Sequence, residues 1–303
     1  MDFSIIGQRI RELRKSLKLS QEELAEGICT QAQISKIEKG DVFPYANTLY
    51  LISQKLGVDV NYFFEIGSTP RIDYVNEVFR QLRLARRSLQ FVEMERIIKI
   101  EEKNPLFTQN NRHYQMILWH KGLCEHAVYK NPDKGIKILW EAIQLTHTNN
   151  KVWTEREIEI LIAVGSIYSE DGRTQEAIDI FLGALENLEQ LVFISDNTIL
   201  PRLYYNLARV YSMLENYEES NYYCHKGIKY CLSKDNLYPL GELHHQICYN
   251  YERLNQLENA LSYLNKAVII FELIEDKNYL SILEKGKKIL VEEIEQQKND
   301  HTI

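Results

Sequence analysis

Four stretches of 24 residues superimpose without a gap, and they leave the chain few folds to adopt. They are Trp119–Ala142, Leu161–Ala184, Tyr204–Gly227 and His244–Ala267, recurring every 40–43 residues. One column is small throughout: Ala142, Ala184, Gly227 and Ala267. A second is also small in all four copies (Gly135, Ala177, Ser220, Ala260), and a third is small in three of four (Leu123, Gly165, Ala208, Cys248). Small side chains let two helices touch. The columns His126, Tyr168, Tyr211, Tyr251 and Leu139, Phe181, Cys224, Leu264 supply the bulk between them. A single helix pair cannot bury its own apolar face, so such units stack into an all-α solenoid. A weaker half-copy falls at Phe91–Lys103, and the Lys/Glu-rich Asp276–Gln297 reads as a capping helix. Only 6 Pro and 13 Gly in 303 residues agree with helix throughout.

This pattern resembles the tetratricopeptide repeat, most closely in GSIYSEDGRTQEAIDIFLGA, although the spacing exceeds the 34 residues usual there. The resemblance implies a superhelix whose first helices line a concave groove suited to an extended peptide. It places His120, Lys121 and Cys124 on that groove in the first copy, and Ile162, Ala163 and Ser166 in the second. In the third and fourth copies the groove positions are Tyr205, Asn206, Arg209 and His245, Gln246, Tyr249. An amide such as that of Asn206 or Gln246 can bond a peptide backbone through both its groups. Arg209 can grip a carboxylate with two hydrogen bonds. Each of these residues is also compatible with an ordinary solvated helix face.

The other informative stretch is Ser20–Gly40, SQEELAEGICTQAQISKIEKG. Ile6, Ile10, Leu13 and Leu17 precede it on one face of a first helix. Ser20 with Glu23 has capping-box spacing at the start of a second helix, which turns Leu24, Ala25 and Ile28 inward. Thr30 caps a third helix that ends at Gly40. On it Ile34 and Ile37 face inward, and Glu38 beside them needs a buried partner, for which Arg14 is placed. Ala32, Ser35, Lys36 and Lys39 point outward, with Gln31 and Gln33 on the first turn. Gln suits adenine, Lys suits guanine and an alanine methyl suits thymine in the major groove. Gln21 opens the second helix, where free backbone N–H groups favour a phosphate. The expected DNA-contact set is Gln21, Thr30, Gln31, Ala32, Gln33, Ser35, Lys36 and Lys39. Helices through Leu49, Ile52, Leu56 and through Val60, Phe63, Phe64 close this core.

These residues resemble the lambda-repressor-like helix-turn-helix domain over about residues 5–66, through GQRIRELR, SQEELA, ISKIEKG and LGVDVNYFFE. Cys29 stands where that motif usually has glycine. With the repeats added, the chain resembles the PlcR-type peptide-responsive transcription factors of Gram-positive bacteria, within the quorum-sensing group that includes Rap, NprR and PrgX. That resemblance implies a cytoplasmic homodimer, a palindromic DNA site and a short signalling peptide in the repeat groove. It makes Asn206 a peptide contact, and it puts Ile162 where the previous repeat has a second asparagine.

The expected division is a helix-turn-helix domain over 1–66, a linker over 67–76 within and after EIGSTPR, and a repeat domain over 77–303. Net charge does not signal DNA. Residues 1–66 carry 8 Lys and Arg against 9 Asp and Glu, and the remainder carries 28 against 34. Arg80, Arg83, Arg86, Arg87 and Arg96 form a basic run whose default reading is a solvated face. No apolar run reaches the ~18 residues of a membrane span, and the spaced apolar residues of MDFSIIGQRIRELRK do not read as a signal peptide. Five cysteines without CxxC spacing read as reduced thiols. No HExxH, GxSxG or phosphate loop occurs, so neither an enzyme, a metal nor a cofactor is expected. Two other classes remain open: a DNA-binding regulator whose repeats dock a protein, and a redox regulator acting through Cys29 or Cys231.

Overall fold

In a computed structural model of the chain, residues 3–68, 71–147 and 152–300 are described, and every regular element among them is a helix. They fall into two compact units, 1–114 and 115–303.

The first unit opens with α1 (Phe3–Ser16), α2 (Gln21–Ala25), α3 (Gln31–Lys39), α4 (Ala46–Leu56) and α5 (Val60–Ser68). Its core joins Ile6, Ile10, Leu24, Ile34, Ile37, Leu49, Ile52 and Phe63. Gly7 lets α1 lie against α3, because a Cβ there would sit 2.0 Å from the carbonyl oxygen of Ile37. Leu17 departs from the face expected of it and is 49% exposed. Helix α1 has already ended, and Lys18 turns the chain with φ 59°. The turn between α2 and α3 takes its left-handed residue at Gly27 (φ 75°), two positions before Cys29. The cysteine therefore needs no glycine-like backbone.

The expected linker over 67–76 is largely helical. Helix α5 continues to Ser68, and α6 (Ile72–Arg87) starts directly after the N-cap Arg71, while Thr69 and Pro70 lie outside the described residues. The reason is that Val75, Val78, Leu82 and Ala85 make one buried stripe that begins before residue 77. Helices α7 (Phe91–Glu101) and α8 (Pro105–Thr108) complete this unit, with Phe79, Phe107 and His113 in edge-to-face contact.

In the second unit the 24-residue blocks become helix pairs: α9 (Asn111–Ala127, which begins in the first unit) with α10 (Pro132–Gln144), α11 (Glu155–Glu170) with α12 (Thr174–Glu189), α13 (Ile199–Met213) with α14 (Tyr217–Ser233), and α15 (Leu240–Arg253) with α16 (Leu257–Leu273). Each of the last three pairs stacks on its neighbour, and α17 (Lys277–Asp300) packs on α16 and closes the end of the stack through Leu283, Leu290 and Ile294. The all-small column is fully buried at Ala142, Ala184 and Ala267. Gly165 meets the ring of Phe181, where an added Cβ would approach to 2.5 Å.

The first copy is one residue out of register in its first helix. There Gly122, not Leu123, meets Leu139 in the column of Phe181. Helix α9 ends at Ala127, the ninth position of the block, whereas α11, α13 and α15 end at the tenth. All four turns still take positive φ at the same column (Lys130, Gly172, Glu215, Asn255), so the extra residue sits between helix end and turn. The shift carries His120 and Cys124 into the interior, 1% and 2% exposed.

Candidate nucleic-acid interface and ligand pocket

Helix α3 is held at both ends by its own sequence. Thr30 and Gln33 form a capping box: the threonine hydroxyl accepts from the Gln33 N–H, and the Gln33 side-chain oxygen accepts from the Thr30 N–H at 3.1 Å. Gly40 closes the other end in the left-handed conformation, φ 79°. The T-x-x-Q signal for this box stands in the sequence, where Gln33 otherwise reads as a first-turn DNA contact. We expect Thr30→Ala to destabilise this domain by about 1 kcal/mol, read as lost hydrogen-exchange protection in the first turn of α3.

Beneath the helix, Arg14 grips Glu38 with two hydrogen bonds, Nε–Oε1 at 2.5 Å and Nη2–Oε2 at 2.9 Å, and both side chains are nearly inaccessible. Arg14 also donates to the Leu19 carbonyl, tying α1 to the loop before α2. Gln21 donates to Glu38 at 2.8 Å and accepts from Gln31 at 2.7 Å. One chain of bonds therefore runs from a buried ion pair to the first residue of α3. Burial pushes the Glu38 carboxyl up, and the bonds from Arg14 and Gln21 outweigh it, so the group lies below its ordinary value. The Gln31 amide is fixed in direction by this chain, while Gln31, Ala32, Gln33, Lys36 and Lys39 are exposed and Ser35 is half-buried. Lys36 and Lys39 make no ion pair among the described residues. The face thus presents one oriented amide, a methyl and two free cations.

The second site is a pocket of about 270 Å3 in the second unit. Helix α13 gives Tyr205, Arg209, Ser212 and Met213 to it, α15 gives His245, Gln246 and Tyr249, and α17 gives Tyr279. First helices of successive pairs touch, α11 with α13 and α13 with α15, so they share one face. The structure brings together five of the twelve groove residues read from the sequence and leaves seven outside this pocket: His120, Lys121, Cys124, Ile162, Ala163, Ser166 and Asn206. Ile162 is 5% exposed, and the Ser166 hydroxyl is turned back to the Ile162 carbonyl. Asn206 is half-buried beside the pocket without lining it. Ser212 and Met213, missed in the sequence, follow Arg209 by one turn and are legible by helical spacing. Tyr279 lies outside every repeat column, and nothing in the sequence marks it.

Behind the pocket Asn250 is completely buried with its amide fully used. Its oxygen accepts from Ser212 at 2.7 Å and from Gln246 at 3.1 Å, and its nitrogen donates to Ser220 and Asn221, both at 2.7 Å. The Arg209 guanidinium lies 5.8 Å from the Tyr205 ring centre and pairs with no carboxylate among the described residues. Burial pushes His245 down, so its ring is neutral, and it lies 3.3 Å from the Tyr279 hydroxyl. Burial also pushes the Cys29 thiol up, and burial with Glu242 pushes Cys231 up to about 11. Neither cysteine is a ready thiolate.

Among the described residues no helix is long and apolar enough to cross a membrane. The five helices α1–α5 have the arrangement of a helix-turn-helix domain, and the helix pairs that follow form a repeat stack. The helix-turn-helix profile matches residues 7–65, and the RNPP family C-terminal domain matches residues 81–291. The chain belongs to the RNPP family. It is similar to an HTH-type transcriptional regulator of Sinorhizobium medicae, 48% identical over 61 residues that cover 20% of this chain and 44% of that one. A regulator from Rhodospirillum rubrum is 44% identical over 61 residues, so the chain spans about half the length of the curated relatives it matches. Among solved structures it resembles Bacillus thuringiensis PlcR in complex with the peptide PapR7 and DNA, with TM-score 0.83 and 23% identity over 95% of this chain and 99% of that one. ComR from S. thermophilus, in complex with DNA and its signalling peptide ComS, aligns with TM-score 0.66 and 15% identity over 94% and 99%.

Proposed function

We propose that the protein is a cytoplasmic, sequence-specific DNA-binding transcription regulator controlled by a short signalling peptide bound between its repeats. The observation that carries this reading is the pairing of an outward α3 face with a pocket built by α13, α15 and α17 in a chain of the RNPP family. The two structures named above each hold DNA and a peptide, which supports the same division of labour. Gln31, Ala32, Ser35 and Lys36 read base edges. Thr30 and Gln33 set the start of the helix, and Gln21 and Lys39 hold phosphates. The pocket, with Asn206 beside it, takes a peptide; at about 270 Å3 it fits a few side chains rather than the face of a folded protein, which favours a peptide over a docked partner.

A domain with 8 cations against 9 anions binds DNA weakly alone, so the working species is a homodimer on a palindromic site. Its two α3 helices must match major grooves about 34 Å apart. Peptide binding shifts the population toward a dimer with that spacing. Selection of bound DNA from random sequence, repeated with synthetic candidate peptides in gel shifts, tests this. Identical DNA affinity with every peptide and without any would refute the switch. Lys36→Ala lowers affinity for the selected site by about 1–3 kcal/mol and relaxes preference at one base pair. A uniform loss across all sequences would make Lys36 a phosphate contact instead.

A further inference from the structure

The pocket on α13 and α15 has a polarity that constrains its ligand more tightly than the word peptide does. Of its eight lining side chains one is a permanent cation, Arg209, and none is a carboxylate. The acidic groups that act on its tyrosines are Glu242 on α15 and Asp276 just before α17. Neither pairs with Arg209, whose guanidinium lies over the Tyr205 ring and also acts on the Tyr279 hydroxyl. A half-buried guanidinium lying against an aromatic ring, with its fork unfilled, is a receptor for a planar two-oxygen anion.

The floor supplies the second constraint. Asn250 uses its oxygen to accept from both Ser212 and Gln246. The Ser212 proton is thereby committed inward, and its lone pairs are what it can offer the pocket. One Gln246 N–H is committed too, and its carbonyl oxygen and second N–H remain. Asn250 is itself locked by Ser220 and Asn221 on α14, so these directions are fixed by a satisfied buried network and not chosen on binding. The floor accordingly offers two acceptors, which fit ligand N–H groups, beside the one remaining Gln246 N–H. The walls are Tyr205, Tyr249, Tyr279 and Met213, an apolar and aromatic enclosure suited to a large side chain.

We propose that this pocket recognises a peptide carboxylate lying next to a large apolar residue, with Arg209 gripping the carboxylate, the tyrosines enclosing the side chain, and Ser212 and Gln246 accepting from the peptide backbone. This rests on the peptide reading above and narrows it. The carboxylate has two possible sources, the C-terminus of the peptide or an Asp or Glu side chain.

Three pools of fluorescein-labelled synthetic pentapeptides, each ending in Phe and randomised over neutral residues at other positions, distinguish them when titrated against the full-length protein by fluorescence polarisation. One pool has a free C-terminus, one is C-terminally amidated, and one is amidated with Glu before the Phe. At least one carboxylate-bearing pool should bind roughly tenfold or more tightly than the neutral amide, the effect of one charge-assisted pair. The pool that does so names the source. Arg209→Gln should abolish that preference, and Arg209→Lys should retain part of it. Equal binding of all three pools to the wild-type chain, or a preference that survives Arg209→Gln, overturns the carboxylate assignment and leaves the peptide groove standing. Binding of no pool overturns the assignment and the peptide reading together.

Discussion

Glu38→Ala is expected to cost the helix-turn-helix domain about 3–5 kcal/mol, because it strands the Arg14 guanidinium in the core with two bonds unmade. The loss should appear as collapsed hydrogen-exchange protection of the α1 and α3 amides in the full-length chain, with the amides of α15 and α16 unaffected. The effect reaches function because Glu38 also holds Gln21, and Gln21 holds Gln31. DNA affinity should therefore fall even in conditions where the domain remains folded. The pH dependence carries its own sign. The Glu38 carboxyl is depressed in the folded protein, so its contribution is fully present above the ordinary carboxylate value near ~4.3 and is lost as pH falls through the depressed one. The variant should lack that part of the acid destabilisation. Unchanged protection in α1 and α3 would show that the pair is dispensable.

Phe181→Ala is expected to destabilise the repeat stack by a comparable about 3–5 kcal/mol. Phe181 is 1% exposed, and its ring fills the space left by Gly165 on the facing helix. The loss should concentrate in the hydrogen exchange of α11 and α12 and weaken with distance along the stack, as nearest-neighbour coupling requires. Gly165→Ala should be harmful in the wild-type chain, since its Cβ would meet the ring at 2.5 Å, and harmless or restorative with Phe181→Ala. Simple additivity of the two changes would contradict the packing described.

Much of the first unit is legible because its signals are local. A hydroxyl cap at Ser20 or Thr30 and a glycine at Gly40 act on backbone groups within four residues, so spacing alone reveals them. Leu17 shows where that logic stops: its periodicity is right, but the helix ends before it is used. Cys29 is similar, since whether the turn takes its positive φ there or at Gly27 depends on how α2 meets α3. In the repeats, copying of one unit carries information from copy to copy, which is why Tyr205, Arg209, His245, Gln246 and Tyr249 are found together. It fails wherever one copy departs, as in the single added residue after α9.

The sequence by itself determines that this is a helix-turn-helix followed by stacked helix pairs, because capping, apolar periodicity and small-residue columns are short-range properties of the chain. Only the tertiary structure decides which of those residues become a site. Tyr279 reaches the pocket from a helix outside every repeat, and Asn250 fixes the direction of Ser212, on another helix, from behind it. Such relations join residues tens of positions apart through packing and hydrogen-bond direction, and no spacing along the chain encodes them.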